Sequence, residues 1–381
     1  MSGRNGDKNL YGRYNFSYLD GDHNKFLFFG VDDFLQGGNG DFQGLYGLAG
    51  NDTLVGGGGK KQILHGDSGA DSLKGGDGGY QSLYGDIGND TLVGGQGDRQ
   101  HLEGGDGADS LKGSNGRGQG LEGGAGNDTL VAGAAENQRL EGDIGADSLQ
   151  GGNGGYQSLY GDTGNDTLVG GSGRNQLLYG GDGADSLRGR NGINQYLNGE
   201  AGNDTLVAGE GEGSNVELSE RSGHLLFGGD GNDSLTGGAK DDVLNSGAGN
   251  DTTSGGAGMD RFYFQTKLDD DNVDMILDYD VRDDTIVLNF SVFKNSVSPR
   301  REDGGISFDS LIDGVLASGA FNTGTEASEA DDRIIFNTST GALLYDADGV
   351  GGAAAIQFAT LIGLTGTLTA ADFEVTPFSY W

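Results

Sequence analysis

Aspartate recurs at every nineteenth position from Asp33 to Asp204 without an exception. A fixed period of this length is typical of a solenoid in which each repeat forms one coil. Equivalent residues of successive β-coils stack about 4.8 Å apart, and bare carboxylates at that distance repel one another strongly. The pattern therefore predicts a column of carboxylates that is either solvated at a cost or filled with cations. The column consists of Asp33, Asp52, Asp71, Asp90, Asp109, Asp128, Asp147, Asp166, Asp185 and Asp204.

Leucine repeats with the same period at two positions of each coil. Counted from the column aspartate, the second residue is always leucine, as at Leu54, and the twelfth is leucine in all but one copy, as at Leu64. Each leucine marks a short strand, and glycine-rich turns separate the two strands. We therefore predict an all-β fold, a parallel β-roll or β-solenoid whose thin leucine core is stabilised by the stacking of neighbouring coils. The ends of such a solenoid offer open β-edges for head-to-tail stacking.

Glutamine occupies the tenth position of the coil. The series is Gln43, Gln62, Gln81, Gln100, Gln119, Gln138, Gln157, Gln176 and Gln195. Each glutamine lies two residues before a core leucine and therefore on the same inward face of the strand. We predict an amide ladder that satisfies buried polar groups along the solenoid axis.

The turn before each aspartate favours a hard divalent cation. From Gly50 to Gly202, glycine lies two residues before the aspartate, and glycine permits tight turns with positive φ that point carbonyl oxygens inward. Calcium takes about six to eight oxygen ligands. The chain has no cysteine, and its four histidines, His23, His65, His101 and His224, are scattered, so zinc is not expected.

Four nonapeptides follow the 19-residue repeats. They read GGDGNDSLT (228–236), GGAKDDVLN (237–245), SGAGNDTTS (246–254) and GGAGMDRFY (255–263). This run resembles the calcium-binding β-roll of repeats-in-toxin (RTX) proteins. The resemblance implies that Asp233, Asp242, Asp251 and Asp260 are calcium ligands together with the ten column aspartates.

The two turns of a 19-residue coil differ. We call the edge that carries the column aspartates the first edge, and the edge that precedes the glutamines the second edge. The second-edge turn, for example GGSGRNQ at 170–176, lacks the aspartate. We therefore predict calcium along the first edge alone in the 19-residue section and along both edges in the nonapeptide section.

The segment after the repeats, which begins with FYF at Phe262 and continues with VDMILDYDVRDDTIVLNFSVF, resembles the region that follows the repeats in serralysin-type RTX proteins. The resemblance implies export by a type I secretion apparatus through a C-terminal signal. It also implies a chain that stays unfolded at low cytosolic calcium and folds outside the cell. The N-terminal MSGRNGDKNL has no apolar stretch of the kind that a cleaved export signal carries. We expect a secreted protein, extracellular or on the cell surface.

The predicted organisation has five parts. These are an N-terminal cap (1–28), the 19-residue-repeat calcium solenoid (29–207), a register break (208–227), the nonapeptide β-roll (228–263), and a C-terminal β-rich domain with the secretion signal (264–381). In the cap, Phe16 and Phe26 fall in the two leucine columns.

Charge and motifs exclude several classes of function. The formal net charge of −35 argues against a nucleic acid partner. The sequence has no apolar run of about 18 residues, so no transmembrane segment is predicted. The sequence contains no H-E-x-x-H, no G-x-S-x-G and no complete P-loop, and we expect no enzymatic activity.

The predicted chain consists of a solenoid, caps and an export tail. This organisation favours a secreted calcium-binding structural protein. We expect it to self-assemble into, or to decorate, an extracellular matrix, fibre or surface layer, with calcium and further copies of itself as partners in a homo-oligomer or polymer. Two alternatives stay open, an ice-binding RTX protein and an RTX protein that adheres to a host or another surface.

Overall fold

A computed structural model describes residues 18–19, 25–27, 32–209, 223–269, 271–293, 311–312 and 314–376. Of residues 18–19, 25–27, 311–312 and 315, only the backbone is described. The chain divides into two compact units, residues 1–192 and 193–381. Both units are built on parallel β-coils, and the second unit also contains antiparallel pairs, in which Ala342–Tyr345 lies between Ile334–Asn337 and Ile356–Leu361. The parallel coils confirm the predicted all-β solenoid.

The first unit has two sheets, one on each side of a thin core. The long-strand sheet follows the glutamines and contains Lys25–Leu27, Gly44–Tyr46, Ile63–His65, Ser82–Ile87, His101–Asp106, Gly120–Ala125, Arg139–Ile144, Ser158–Thr163 and Leu177–Asp182. The short-strand sheet follows the aspartates and contains Phe34–Gln36, Thr53–Val55, Ser72–Lys74, Thr91–Val93, Ser110–Lys112, Thr129–Val131, Ser148–Gln150, Thr167–Val169 and Ser186–Arg188.

The register of both sheets follows the 19-residue period. Leu102 pairs with Leu83 on one side and with Leu121 on the other, all in parallel strands. Leu111 pairs in the same way in the short-strand sheet. These leucines are at most 1% exposed, so every core leucine is covered by its copies in the coils above and below. Stacking therefore supplies the burial that one coil lacks.

The second unit also has a long-strand sheet and a short-strand sheet, with changed spacing between the strands along the chain. Its long-strand sheet contains Tyr196–Ala201, Leu225–Asp230, Val243–Ala248, Arg261–Phe264, Thr285–Asn289, Phe373–Thr376, Val315–Leu316 and Leu311–Ile312. Its short-strand sheet contains Thr205–Val207, Ser234–Thr236, Thr252–Ser254, Asp274–Ile276, Ile356–Leu361, Ala342–Tyr345, Ile334–Asn337 and Phe321–Thr323. One α-helix, Phe290–Phe293, and two 3-10 helices, Ser318–Ala320 and Ala370–Asp372, complete the described elements.

The strands on either side of the predicted register break pair with one another. Residues 210–222 lie outside the described part, but Leu197 pairs with Leu226 and Leu206 with Leu235. The parallel ladders therefore run on both sides of the segment. In the region predicted as a separate C-terminal domain, the strand Thr285–Asn289 pairs with Arg261–Phe264 of the nonapeptides, so its strands extend the same sheet.

Each long-strand sheet has short antiparallel strands at one end. In the first unit, Tyr18–Leu19 pairs antiparallel with Lys25–Leu27, whose Phe26 lies in register with Leu45 as predicted for the cap. In the second unit, Leu311–Ile312 and Val315–Leu316 form a hairpin on Phe373–Thr376. Phe16 lies outside the described residues. Two-residue antiparallel strands are one of the features that protect a sheet edge against further pairing.

Within the described residues, no helix is long and apolar enough to cross a bilayer.

Candidate metal centre

The column aspartates of the first edge are buried and bonded to one another through the backbone. From Asp52 to Asp204 each is between 1% and 3% exposed. Oδ1 of Asp109 accepts the backbone N–H of Asp90 at 2.6 Å, and Oδ1 of Asp128 accepts that of Asp109 at 2.7 Å. One oxygen of each carboxylate thus links its coil to the preceding coil.

The second carboxylate oxygen, Oδ2, is also buried, but it accepts no hydrogen bond. Residues with this orphaned Oδ2 are Asp33, Asp52, Asp71, Asp90, Asp109, Asp128, Asp147 and Asp166 in the first unit, and Asp233 and Asp251 in the second. A buried carboxylate oxygen without a partner costs a large part of its hydration energy. Its repetition along one edge indicates that a cation completes the site.

Glycine residues lie next to these oxygens. A Cβ placed on Gly123 would lie 2.6 Å from Oδ2 of Asp128 and 2.8 Å from the carbonyl oxygen of Gly142 in the next coil. The carboxylate and the carbonyl therefore converge on space that only glycine leaves open. Gly126, two residues before Asp128, has a φ of 150°, a conformation in which L side chains are strained.

Burial and mutual repulsion raise the pKa of the column aspartates. The pKa of Asp90 and of Asp109 rises to about 6, and that of Asp147 to about 7. Desolvation is the main cause in each case, the hydrogen bond from the preceding backbone amide opposes it, and neighbouring aspartates add to the rise. The fold therefore holds negative charge in a place where it is poorly solvated.

The residues of the first edge fit calcium. They offer charged carboxylate oxygens and backbone carbonyl oxygens, the hard ligands that calcium prefers, and no nitrogen or sulfur. Calcium bound there would neutralise the column and cross-link adjacent coils. The orphaned Oδ2 atoms and the carbonyls of glycines such as Gly142 would hold it.

The second edge of the first unit is completed by the protein itself. Oε1 of Gln81 accepts the N–H of Gly76 at 2.7 Å, and its Nε2 donates to the carbonyls of Gly57 at 2.9 Å and Gly59 at 2.8 Å in the preceding coil. From Gln62 to Gln195 the glutamines are at most 1% exposed. The NH₂ group thus satisfies the inward carbonyls that a cation would otherwise satisfy. The predicted amide ladder is present, and most of the hydrogen bonds that its NH₂ groups donate go to backbone carbonyls.

In the second unit, the glutamine position changes to histidine and then to aspartate. The side chain of His224, 1% exposed, accepts the N–H of Gln195 at Nδ1 (3.3 Å), and its Nε2 lies 3.0 Å from the carbonyl of Gly209. Asp242 and Asp260 follow on the same edge, linked by a bond from the N–H of Asp242 to Oδ1 of Asp260 at 2.8 Å. Both oxygens of Asp242 accept backbone amides, from His224 and Gly238, so Asp242 lacks the orphaned oxygen of the first edge.

The structure thus places the predicted site residues in three groups. Those from Asp33 to Asp185 form one column in the first unit, and Asp204, Asp233 and Asp251 form a column in the second unit. Asp242 and Asp260 lie on the opposite edge of the second unit.

Sequence reasoning missed Asp274 and Asp284, which extend the two columns of the second unit. Oδ1 of Asp274 accepts the N–H of Asp251 at 3.1 Å, and Oδ1 of Asp284 that of Asp260 at 3.0 Å. Both lie two residues before a buried isoleucine, as the column aspartates lie two residues before leucine. That local signal is present even though the spacing has changed.

Comparison with known families agrees with this geometry. The model of the RTX calcium-binding nonapeptide repeat (4 copies) matches about half of the chain. The matched residues are 45–60, 62–79, 82–100, 99–117, 121–137, 133–155, 160–196, 179–213 and 227–262. No match was found among curated proteins.

The protein therefore belongs to the RTX calcium-binding repeat family. RTX nonapeptide repeats bind calcium at multiple sites, and proteins that carry them are typically secreted.

Proposed function

We propose that the protein is a secreted structural protein that folds on extracellular calcium and self-assembles into, or decorates, an extracellular matrix, fibre or surface layer. The observation that carries the calcium-dependent part is the column of buried Oδ2 atoms that accept no hydrogen bond. Such a column destabilises the fold when cations are absent and stabilises it when they are bound. Calcium then acts as the signal for folding.

Export through a type I secretion apparatus is part of the proposal. A chain whose fold depends on calcium would stay extended in a low-calcium cytosol and could pass through a narrow channel. The resemblance of the segment after Phe262 to serralysin-type tails supports this route. We propose no catalytic activity, since calcium binding accounts for the regularly spaced carboxylates.

The outer face of the short-strand sheet supports assembly. In the described strands of the first unit from Thr53 to Arg188, this face carries threonine or serine in one row and valine, lysine, arginine or glutamine in the other, and no acidic residue. In a chain of net charge −35, an acid-free face is a surface that two copies can bring together without strong repulsion.

The pattern of this face also favours a second copy of itself. Valine and a long polar side chain alternate from coil to coil, as in Val93, Lys112 and Val131. If two such faces meet one coil out of step, the alkyl stems of lysines on one cover the valines of the other. A regular, flat contact of this kind can extend over many coils.

The test compares purified full-length protein in millimolar calcium and in chelator. We expect β-structure by circular dichroism and particles larger than the monomer by light scattering and electron microscopy, both only with calcium. A calcium-loaded protein that stays monomeric would overturn the assembly part. Thermal hysteresis in such a monomer would support the ice-binding alternative instead.

A pair of charge-reversal variants locates the contact. Lys74→Glu with Lys112→Glu places carboxylates on the short-strand face and should abolish assembly while calcium-dependent folding remains. The matched control is Lys60→Glu with Lys61→Glu, which makes the same charge change at the second edge. If the control impairs assembly as strongly as the test variant, the short-strand face is not the contact.

A further inference from the structure

A group of potential metal ligands lies on the outer face of the long-strand sheet, away from the aspartate column. Nε2 of His101 lies 3.3 Å from Oε2 of Glu103 and 3.8 Å from Oε2 of Glu122. One ligand atom from each residue lies within 4.8 Å of the other two. Each side chain is about two-fifths exposed, so an ion can reach the group from solvent.

The fold itself brings these three residues together. His101 and Glu103 are two residues apart on one strand and so point to the same face. Glu122 lies in register with Glu103 on the next parallel strand, nineteen residues later. The strand position beside His101 is Gly120, and a Cβ built there would lie 3.6 Å from Nδ1 of the imidazole. No side chain at that strand position therefore covers the ring.

We propose that His101, Glu103 and Glu122 bind a first-row transition-metal ion of the zinc class, at a site separate from the calcium edge. In a tetrahedral zinc site with arms of about 2.0 Å, neighbouring ligand atoms are about 3.3 Å apart. The His101–Glu103 separation already has this value, and the His101–Glu122 separation of 3.8 Å is close to it. One imidazole and two carboxylates leave the fourth position for water or for a ligand from a partner. Calcium favours sites made of oxygen alone, so the imidazole selects against calcium here.

A neighbouring cationic side chain is already paired elsewhere. Arg139 is engaged by Glu141 and lies 4.3 Å over the ring of Tyr160.

Beside Glu103 lies a groove of about 460 Å³. Its lining includes Asp67, Asp86 and Asp106. An acidic groove of this kind raises the local concentration of cations.

The sequence alone did not suggest this site because the histidines are scattered along the chain. The sequence signal of the site is His-x-Glu, with a second glutamate nineteen residues after the first. Nineteen residues is the length of one coil. Only the folded solenoid converts that distance in sequence into a contact. Because Glu103 and Glu122 belong to adjacent coils, the bound ion would also link these coils.

The experiment uses full-length protein without a histidine tag, saturated with calcium, and titrates it with Zn²⁺ by calorimetry and with Co²⁺ by visible absorption. We expect one tight site per chain and a cobalt spectrum typical of nitrogen and oxygen ligands. His101→Ala, and separately Glu122→Gln, should weaken zinc binding by more than about tenfold. Circular dichroism in calcium should stay unchanged, since both side chains lie on the outer face.

The matched control is His65→Ala. His65 lies on the same face, its Nδ1 is 2.9 Å from Oδ2 of Asp86, and it stacks on Tyr84, but it is not part of the group. Zinc affinity should stay within about twofold of the unaltered protein. The proposal is overturned if the calcium-saturated protein binds no zinc, if His101→Ala leaves the affinity unchanged, or if His65→Ala weakens it equally.

Discussion

The two carboxylate oxygens of a column aspartate differ in their hydrogen bonding. At Asp109, Oδ1 accepts the N–H of Asp90, whereas Oδ2 is buried and accepts no hydrogen bond. On the other edge, both polar atoms of the Gln81 amide are satisfied without a metal, because its oxygen accepts an N–H and its nitrogen donates to carbonyls. The comparison indicates that Oδ2 is the atom of the aspartate that a cation would satisfy.

Asp109→Asn should therefore have opposite effects with and without calcium. The variant keeps an oxygen for Asp90 and places an NH₂ group near the carbonyl of Gly123, where it can donate as the glutamines do. We expect the free energy of unfolding to fall by about 1–3 kcal/mol in calcium and to rise in chelator.

Asp109→Ala, which also removes the acceptor for Asp90, should lower the free energy of unfolding in both conditions. Denaturant unfolding measures all of these values. The control is Asp106→Asn, which removes the same charge from an exposed side chain. If Asp109→Asn and Asp106→Asn behave alike, Oδ2 of Asp109 does not bind calcium.

The raised pKa values of the column predict how pH acts on the calcium-free chain. An unfolded aspartate releases its proton near pH 3.8, whereas folded Asp90 and Asp109 hold theirs to about 6, and Asp147 to about 7. The unfolded state loses protons first, so the free energy of unfolding falls as pH rises from about 4 to about 7. A pKa that is higher by one in the folded state than in the unfolded state corresponds to about 1.4 kcal/mol of this loss.

In chelator, the chain should therefore show more β-structure by circular dichroism near pH 5 than near pH 8. With calcium the order should reverse, because protons compete with the metal for the same oxygens. Equal folding of the calcium-free chain at both pH values would contradict this account of the column.

At the scale of the element, the second-edge turn is an ordered structure that needs no ion. Gln81→Ala would leave the N–H of Gly76 and the carbonyls of Gly57 and Gly59 without their hydrogen-bond partner. Each unsatisfied buried group costs about 1–3 kcal/mol. Because three groups lose their partner, we expect a total loss at or above the upper end of that range, equal at low and saturating calcium, by denaturant unfolding.

Gln150→Ala is the control for Gln81→Ala, since Gln150 lies exposed on the short-strand face and its removal should have little effect. If added calcium rescues Gln81→Ala, the second edge binds metal when the amide is absent.

The elements show how far the sequence determines the structure. The sequence predicts the positions of residues that recur with one period, such as Leu102, Leu111 and Gln81. A fixed period also determines the register of the strands once one pair is known. Asp274 and Asp284 could not be assigned in the same way, because the connections before them are longer than a nonapeptide and the period is lost. The antiparallel strand Tyr18–Leu19 was also missed, since a two-residue strand has no periodic signal.

At the scale of the whole molecule, periodicity predicted the calcium column, but it did not predict contacts between unlike positions of the coil. The group of His101, Glu103 and Glu122 brings together residues at different positions of two adjacent coils. A search for one residue type at one repeated position does not find such a group. The family match likewise describes the repeats alone. What the protein binds beyond calcium is therefore determined by its outer faces, where neighbouring coils differ.

Folding should depend steeply on calcium in the full-length chain. Each column carboxylate bonds to the preceding coil, and its Oδ2 lies near a carbonyl of the next coil. An ion bound at one coil therefore orders the neighbouring sites, and stacked repeats fold as coupled units. We expect a calcium titration followed by circular dichroism at neutral pH to be sigmoidal, with a Hill coefficient clearly above one. Magnesium, which loses its water reluctantly and demands octahedral geometry, should not replace calcium. A hyperbolic titration, or full β-structure in chelator at neutral pH, would contradict coupled folding of the coils.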